Sequence, residues 1–386
     1  MKKTIALLLA LVMLCTCMAG CSGTKEDTVM TVNGTEVSYD EYMFWFGQAV
    51  SELTQLYQSY SGTTVDWSGK FLFDTEMTNV EWCVKRASQS VIRLHAMESK
   101  AGELGVKLTD EEKADINDEI SQIEENYVTG SDTNTDLKAV FASYNYTQES
   151  YITQRSLNQL YNDLFTELYG EQGEKLSEEK ALAYAEENDY ITSAHILLRT
   201  TKDVTDSDGK TTSEELSQAE KDEKKAKATE IAAELQAITD NEKRWERFKE
   251  LMDEYSEDPG KESFPNGYCF TTGSMVDEYD STSRELEEYE VSGVVESSFG
   301  YHVIMRLPTK GTDLVSTYNS NYQQITVPLT YLAAPSDYDA QISDWADDAK
   351  VKYTSLYEKL DFASFINDGG FSFVPYEEYK ADQSKK

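Results

Sequence analysis

Histidine is scarce in this chain, and its positions direct attention to the middle of the sequence. Of three histidines, His195 and His302 lie in short apolar segments typical of β-strands. Asp258 precedes a Pro-Gly turn between these two segments, and Ser297 comes shortly before His302. Side chains of these types can match the polar groups of a bound substrate if the fold brings them together.

Other kinds of chemistry are weakly indicated. Cys83 and Cys269 have no base near them in sequence, so no nucleophilic site is predicted around them. The segment Asp206–Gly209 resembles a calcium loop, but the first ligand position falls on Val204, and a solvated loop is expected instead. His95 lies in an apolar helix without a ligand partner and is expected at the surface or at the edge of the core. No metal site, no cofactor and no glycine-rich phosphate loop is predicted.

The elements around these residues form a compact pattern. The predicted order is β-α-α-β-α-β-β over about 115 residues, which is typical of a small α+β domain. The segments are a strand at 191–199, a polar loop at 200–222, helices at 224–238 and 244–255, a strand at 270–272, a helix at 275–286 and a hairpin at 294–307.

Three segments of this region carry motifs in a fixed order. They are Ser193-Ala194-His195-Ile196-Leu197-Leu198, then the stretch from Phe248 to Pro259, then an ungapped run from Gly273 to Ile304. In type and spacing they resemble the parvulin, or PpiC-type, family of peptidyl-prolyl isomerases. The resemblance covers residues 190–308, and it implies the parvulin fold and isomerisation of X–Pro peptide bonds.

The resemblance also assigns roles. Rotation about an X–Pro bond faces a barrier of roughly 18–20 kcal/mol from amide resonance, and the site has only to favour the twisted amide. His195 and His302 match the family's histidine pair on adjacent central strands, and Ser297 matches the hydroxyl beside them. Asp258 matches the position near the substrate carbonyl. Each catalytic role has an alternative, because the histidine pair could be structural and Asp258 could be only a turn former.

The resemblance further implies a proline pocket lined by Met275 and Tyr279, with Phe299 near its rim. Three departures from the family pattern concern the surroundings of the site. Arg284 replaces an apolar helix residue, Tyr289 replaces a turn glycine, and Ser263–Tyr268 replaces a glycine-rich run.

The flanking regions are predicted to be helical. Val29–Val37 alternates around Asn33-Gly34, a strong hairpin signal, and Ser38 with Glu41 predicts a capping box for the helix that follows. The hairpin, the long helices and the "GVKLTDEE" turn of residues 29–185 resemble the N-terminal chaperone region of SurA- and PrsA-type foldases. Residues 309–386 are expected to be a linker and a helix from Tyr338 to Leu360 that packs on the N-terminal region. The predicted fold class is therefore α+β, a parvulin domain inserted into a mostly helical body.

The first twenty residues predict export. Two lysines precede an apolar run that is short for a membrane span, and Ala19-Gly20-Cys21 resembles the lipobox of bacterial lipoproteins. This implies a signal peptide at 1–20, lipidation of Cys21 and a tether at 21–28. The alternative is ordinary secretion with a coincidental cysteine.

Composition restricts the partners. The formal net charge is −36, so the chain repels phosphate backbones, and nucleic-acid binding is not expected. The leading prediction is a foldase anchored to the outer face of a bacterial cell membrane. It would isomerise X–Pro bonds in exported clients and hold unfolded clients. A chaperone with an inactive parvulin domain and a solute- or wall-binding lipoprotein are the alternatives, and a homodimer is left open.

Overall fold

The computed structural model describes residues 24–129, 136–205, 209–367 and 370–385. The predicted signal peptide and Cys21 lie outside these residues, and so do residues 206–208 of the segment that resembles a calcium loop. Across the described ranges, none of the helices combines the length and apolarity that a bilayer crossing requires.

The described residues form α-helices and β-strands in both halves of the chain. The helices are α1 Tyr39–Ser61, α2 Asn79–Leu104, α3 Asp110–Ile123, α4 Leu137–Ser143, α5 Gln148–Tyr169, α6 Glu178–Glu187, α7 Gln218–Ala237, α8 Asn241–Tyr255, α9 Asp277–Glu285, α10 Leu329–Asp347 and α11 Tyr376–Gln383. The strands are β1 Thr28–Val32, β2 Thr35–Ser38, β3 Lys70–Phe71, β4 Asp74–Thr78, β5 Ile191–Arg199, β6 Thr201–Thr205, β7 Thr211–Glu215, β8 Tyr268–Phe270, β9 Val291–Ser297, β10 Gly300–Leu307, β11 Leu314–Tyr318, β12 Gln324–Pro328, β13 Val351–Tyr353, β14 Ile366–Asn367 and β15 Gly370–Phe371.

The chain folds into two compact units, each built from segments that are distant in sequence. Among the described residues, the first unit contains 24–99, 109–129, 136–157, 346–367 and 370–385. The second unit contains 100–108, 158–205 and 209–345. The helices α2, α5 and α10 contribute residues to both units.

A three-stranded sheet organises the first unit. The β1–β2 hairpin turns at Asn33 and Gly34, which both have positive φ, and this confirms the hairpin prediction. On its other side β1 pairs with β13, with Val32 opposite Val351. The core around this sheet contains apolar residues of α1 and α2, among them Tyr42, Phe46, Leu53, Ala87 and Val91.

The predicted helix from Tyr338 to Leu360 is wrong beyond Asp347. After α10 ends, residues 351–353 form β13, and Leu356 and Leu360 join the core of the first unit from irregular and 3₁₀ segments. The outer edge of β1 presents unpaired backbone donors and acceptors, and pairing with β13 satisfies them. Helical spacing of apolar residues carries no information about such an edge.

His95 is part of the first unit's core, so the expectation of a surface or core-edge position is wrong. Its side chain is 4% exposed, with Nε2 at 2.9 Å from Glu41 Oε1 and Nδ1 at 2.8 Å from Glu98 Oε2. Because ionised carboxylates only accept hydrogen bonds, both ring nitrogens carry protons and the ring is cationic. Burial by itself lowers the pKa of His95, but the charges and hydrogen bonds of the two glutamates outweigh burial and raise it to about 10.

The same contact explains why the capping box predicted at Ser38 is only half formed. Ser38 Oγ accepts a hydrogen bond from Glu41 N at 3.2 Å, as expected for an N-cap. The Glu41 carboxylate, however, bonds to His95. At the start of α3, Thr109 and Glu112 form the complete box.

His95→Gln should therefore destabilise the protein in a pH-dependent way. At pH 7 we expect a loss of about 3 kcal/mol in the free energy of unfolding, because a buried carboxylate is left without its cation. The folded-state pKa is raised from 6.5 to about 10, so the wild-type contribution is complete below pH 6.5 and is lost as the pH rises through about 10. Urea unfolding followed by circular dichroism between pH 6 and 10 measures the difference.

The exposed pair of Arg86 with Glu52 provides the control for this variant. Arg86→Gln should cost less than about 1 kcal/mol at any of these pH values. Equal losses in the two variants, or a His95→Gln difference that does not change with pH, would contradict a buried ion pair.

The second unit is built on a mixed sheet with strand order β12-β11-β8-β5-β10-β9. The strands β5 and β10 pair antiparallel along their length, from Gly300 opposite Arg199 to Leu307 opposite Thr192. Successive side chains of a strand point to opposite faces. Ala194, Ile196 and Leu198 of β5 pack with apolar residues of α7 and α8 on one face, here the α7/α8 face. Ile191 of β5 packs with Phe270 and Tyr279 on the opposite face, here the α9 face.

The order β5-α7-α8-β8-α9-β9-β10 confirms the predicted α+β pattern, with strands in two places where loops were expected. Within 200–222 the chain forms the β6–β7 hairpin, and α7 begins at Gln218 behind a Ser217–Glu220 capping box. The hairpin is exposed and mostly polar, so it lacks the apolar alternation that predicts a strand. Residues 314–328, expected as part of a linker, form β11 and β12, and β11 extends the sheet beside β8.

Candidate functional site

His195 and His302 face each other on the α9 face of the second unit's sheet. In the β5–β10 register His195 lies opposite Ile304 and His302 lies opposite Leu197, so the two histidines are diagonal neighbours with side chains on the same face. Their Nδ1 atoms are 2.9 Å apart, and their rings are nearly parallel with centroids 5.1 Å apart. The predicted pairing of the two histidines on adjacent strands is thus present.

Asp258 reaches this pair from the turn after α8. Its Oδ2 atom is 3.0 Å from His195 Nε2, and its Oδ1 atom accepts a hydrogen bond from Gly260 N at 3.1 Å. The turn is fastened to β5 because Ser256 Oγ accepts from Leu197 N at 3.1 Å and Glu257 N donates to Leu197 O at 2.8 Å. Asp258 is therefore more than a turn former, since its carboxylate is bonded to the histidine pair.

Ser297 lies on the other side of the pair, at the end of β9. Its Oγ atom is 2.7 Å from His302 Nε2 and also accepts a hydrogen bond from Phe299 N at 3.1 Å. The tight β9–β10 turn depends on Gly300, which has φ +142 and whose added Cβ would lie 2.3 Å from Leu198 O. This turn fixes the distance between the serine and the histidine.

The ionised Asp258 carboxylate determines which atom is the donor in its hydrogen bond with His195. An ionised Asp258 only accepts, so His195 Nε2 carries a proton. With a neutral His195 the remaining bonds admit one direction, in which His302 Nδ1 donates to His195 Nδ1 and Ser297 Oγ donates to His302 Nε2. All donors in the chain then point toward Asp258.

Burial and hydrogen bonding set the charges of the site. Burial lowers the pKa of His302 to about 3, and the neighbouring His195 ring adds to this effect, so His302 is neutral near pH 7. Burial alone would raise the pKa of Asp258, but hydrogen bonds from His195 and Tyr268 outweigh it and lower the pKa to about 2. The Asp258 carboxylate is therefore negatively charged near pH 7, although the side chains of Asp258 and His195 are only 11% and 12% exposed.

Tyr268 is the functional residue that the sequence motifs miss. Its hydroxyl donates to Asp258 Oδ2 at 2.6 Å, and its ring packs edge-on against His195 with centroids 5.7 Å apart. The signal was present as the last residue of the segment Ser263–Tyr268, which departs from the family's glycine-rich run. Where the family has a glycine-rich run, this chain has Tyr268, whose side chain extends from β8 to the Asp258 carboxylate.

The three residues predicted to line a proline pocket differ in exposure. Tyr279 is buried, packs edge-on against both histidine rings and bonds through its hydroxyl to Ser193. Met275 is half-buried and lies just before α9, and Phe299 is 56% exposed. Met275 and Phe299 are accessible to a ligand, whereas Tyr279 supports the imidazoles from behind.

Arg284, a second departure from the family pattern, lies away from the carboxylate. Its guanidinium pairs with Asp280 at 2.6 Å and with Asp189 at 3.0 Å. It also lies over the Phe270 ring. These contacts tie α9 to the start of the sheet, so Arg284 holds the helix that carries Tyr279 and follows Met275.

The arrangement is poorly suited to covalent chemistry. A histidine with a pKa of about 3 is a weak base near neutral pH, so Ser297 is not activated as a nucleophile. Burial raises the pKa of the free thiols Cys83 and Cys269 to about 12. Among the described residues there is no cluster of ligands for a metal ion. What remains is a fixed set of charges and dipoles that can act on a bound polar group.

Comparisons with known proteins agree with this geometry. Residues 175–307 match the family model of the PPIC-type PPIASE domain, and residues 1–165 match that of the SurA-like N-terminal domain. The chain thus carries a parvulin-type peptidyl-prolyl isomerase domain behind a SurA-like N-terminal domain. This confirms the family that the motifs predicted.

Individual relatives are similar over part of their length. Foldase protein PrsA 1 of Bacillus cereus is 47% identical over 58 residues, which are 15% of this chain and 20% of that protein. Foldase protein PrsA of Oceanobacillus iheyensis is 28% identical over 202 residues, which are 51% of this chain and 52% of that protein. The chain spans between about a fifth and a half of the length of these relatives. The crystal structure of PrsA from Bacillus subtilis is 19% identical, with a TM-score of 0.24, and the match covers 73% of this chain and 91% of that chain.

Tyr268→Phe should raise the pKa of Asp258. A hydrogen bond to a charged group contributes about 1.5–3 kcal/mol, so its loss corresponds to a rise of about one to two pKa units. Titration of the Asp258 carboxyl by ¹³C NMR measures the change. Tyr318→Phe, at an exposed tyrosine of the same unit, is the matched control and should leave Asp258 unchanged. An unchanged Asp258 in Tyr268→Phe would mean that the phenol does not stabilise the carboxylate.

His302→Gln should make the free energy of unfolding less dependent on pH below about pH 6.5. In the folded protein the pKa of His302 is lowered from 6.5 to about 3, so the unfolded chain binds more protons between these values. Stability is therefore lost as the pH falls from about 6.5 toward 3, and a neutral glutamine removes this contribution. Urea unfolding from pH 8 to 4 should give a shallower slope for the variant below pH 6.5 and parallel curves above it. Parallel curves throughout would show that His302 does not titrate in this way.

Proposed function

We propose that this chain is an extracytoplasmic, lipid-anchored foldase that catalyses cis/trans isomerisation of X–Pro bonds in exported proteins and also holds unfolded clients. The observation that carries the proposal is the bonded series Asp258–His195–His302–Ser297, since each member falls on the matching position of the family motif. The PPIC-type domain match and the names of the foldase relatives support the same activity.

The proposed chemistry needs no covalent step. Twisting an amide removes its resonance, so the carbonyl oxygen loses part of its negative charge as the transition state is reached. A fixed carboxylate close to that oxygen disfavours the planar amide more than the twisted one, and this difference accelerates rotation. In the proposal Asp258 supplies the charge and the two histidines with Ser297 hold it in place. Met275, Tyr279 and Phe299 form the proline pocket.

The proposal includes the location and the division of the chain. Residues 1–20 act as a signal peptide, Cys21 carries the lipid anchor, and 21–28 is the tether. Residues 29–185 form the client-holding region and 190–308 the isomerase domain, whose sheet β11 and β12 extend, while residues from 346 onward complete the first unit. The SurA-like match over residues 1–165 supports a role in client binding.

A second candidate function is a chaperone that binds peptide without turnover. It is favoured by the saturation of the Asp258 carboxylate, whose Oδ2 atom already accepts from His195 and Tyr268 and whose Oδ1 atom accepts from Gly260. An oxygen engaged with two donors exerts a weaker field on a substrate carbonyl. The two candidates differ in catalysis and agree in client binding.

The chain from residue 21 onward, with Cys21→Ser, should accelerate X–Pro exchange in a short peptide, measured by NMR exchange spectroscopy. We expect Asp258→Ala and His302→Ala each to lower kcat/KM by about tenfold or more, which corresponds to about 1.4 kcal/mol of transition-state stabilisation. Asp253→Ala, an exposed aspartate on the same helix α8, is the matched control and should retain the wild-type rate.

Aggregation of a reduced, unfolded client in the presence of each protein separates the two candidates. Wild type that suppresses aggregation without accelerating exchange would favour the chaperone without turnover. Wild-type acceleration that both Ala variants retain in full would rule out the catalytic residues named above.

A further inference from the structure

A second cavity lies in the same unit, at the end of the sheet where β5 begins and β10 ends. Its volume is about 210 Å³, and its lining includes Thr192 of β5 and Leu307 of β10. Trp245 of α8 lies on the α7/α8 face of the sheet, whereas Ile304 and Tyr279 pack on the α9 face. The described residues that line the cavity include none of the four members of the Asp258–Ser297 series.

Two of the three departures from the family pattern meet at this cavity. Phe264, Pro265 and Asn266 of the segment that replaces the glycine-rich run contribute to its lining, and so does Tyr289, which replaces a turn glycine. These positions lie more than twenty residues apart in sequence. Residues that depart from the family pattern in two separate segments therefore line one cavity.

The backbone at Tyr289 is strained for a non-glycine residue. Its φ is +65, in the left-handed region that a Cβ disfavours. Two hydrogen bonds hold this conformation, from Tyr289 N to Arg306 O at 2.7 Å and from Arg244 Nη1 to Tyr289 O at 2.8 Å. A glycine would form the same turn without strain, so what the tyrosine adds is its ring, which packs beside the α7/α8 core and lines the cavity.

The size of the cavity fits one bulky side chain, and three aromatic rings contribute to its lining. A cavity of about 150 Å³ is large enough to bind benzene, whereas sites for drug-sized molecules begin at about 300 Å³. The rings of Trp245, Phe264 and Tyr289 line the cavity together with polar residues, among them Thr192, Lys310 and Asp313. In the described part of the chain the Trp245 indole N–H and the Asn266 side-chain amide form no hydrogen bond, so they are available to the backbone of a bound peptide.

One contact connects the cavity to the Asp258 carboxylate. The Phe264 ring stacks on the Tyr268 ring with centroids 4.5 Å apart and an interplanar angle of 29°. The Tyr268 hydroxyl in turn donates to Asp258 at 2.6 Å. A polypeptide that fills the cavity therefore touches a residue packed directly on the tyrosine that holds the carboxylate.

We propose that this cavity is a second subsite for the client polypeptide, taking a large aromatic side chain that lies outside the X–Pro pair. The proposal rests on the proposed isomerase function and adds a sequence preference to it. Clients with an aromatic residue at the right distance from a proline are bound at two points, and the short X–Pro peptide is bound at one.

The test uses the chain from residue 21 with Cys21→Ser and two matched peptide series. Each peptide has one Ala–Pro bond in a Gly/Ser background, with one Trp placed two to eight residues before or after the proline, or with Ala in place of that Trp. At the best spacing the wild type should turn over the Trp peptide with a kcat/KM about tenfold above that of the Ala peptide. Tyr289→Gly should abolish this gain while leaving the Ala peptide unchanged.

Tyr289→Gly is chosen because it removes the ring and relieves the backbone strain, so it should fold. Tyr289→Asn, a residue that tolerates the left-handed region, checks that the effect comes from the ring and should also lose the gain. Peptide binding is followed directly by the ¹H–¹⁵N resonance of the Trp245 indole, assigned with Trp245→Phe. That resonance should shift with the Trp peptides and stay in place with the Ala peptides.

The outcomes distinguish this proposal from the proposed function. If the Ala peptide is turned over but no spacing of Trp gives a gain, the subsite is wrong and the isomerase stands. If neither series is turned over, the isomerase is wrong, and a Trp245 shift that Tyr289→Gly abolishes would still support the subsite. A Trp245 shift that depends on protein concentration without peptide would overturn the proposal, since a second copy of the chain would then fill the cavity.

Discussion

The Asp258 carboxylate is a nearly buried negative charge, and the site of the second unit is arranged around the need to satisfy it. A charge in such a position is costly unless its oxygens are filled by donors. The donors come from β5, from β8 and from the turn after α8, in the form of His195 Nε2, the Tyr268 hydroxyl and Gly260 N. These three segments must therefore keep their register for the folded state to be stable. With a neutral His195, the directions of the further hydrogen bonds through His302 to Ser297 follow from the same charge.

Local patterns in the sequence predicted local structure well. Asn33-Gly34 forms its hairpin, and Thr109 with Glu112 forms its capping box, because each signal involves only neighbouring residues. The failures involve partners far away in sequence. The charge of His95 depends on Glu41, which is 54 residues away, and β13 exists because β1 offers an open edge. Neither partner can be identified from the periodicity of a single segment.

In the candidate site, too, some residues were predicted from local sequence patterns, whereas another was identified only from its contact in the folded protein. The period of two in β5 and β10, combined with the family motif, was sufficient to bring His195 and His302 to one face. The family motifs do not identify Tyr268, because this residue lies in a segment that departs from the family pattern. Its role became visible only when its hydroxyl was found 2.6 Å from Asp258. Tyr289, with its positive φ, is a second case in which a mismatch marks a structural feature.

The pairing of β1 with β13 has a consequence for the order of events during biogenesis. Thr354 Oγ1 donates to Thr28 O across a separation of 326 residues, so this small sheet closes one of the longest loops in the chain. Closing a loop costs more entropy as the loop lengthens, by about 0.6 kcal/mol for each doubling. Because synthesis starts at the N-terminus, the second unit can fold before residues 351–353 are available to pair with β1. The sheet of the first unit is therefore completed only after the whole second unit has been synthesised.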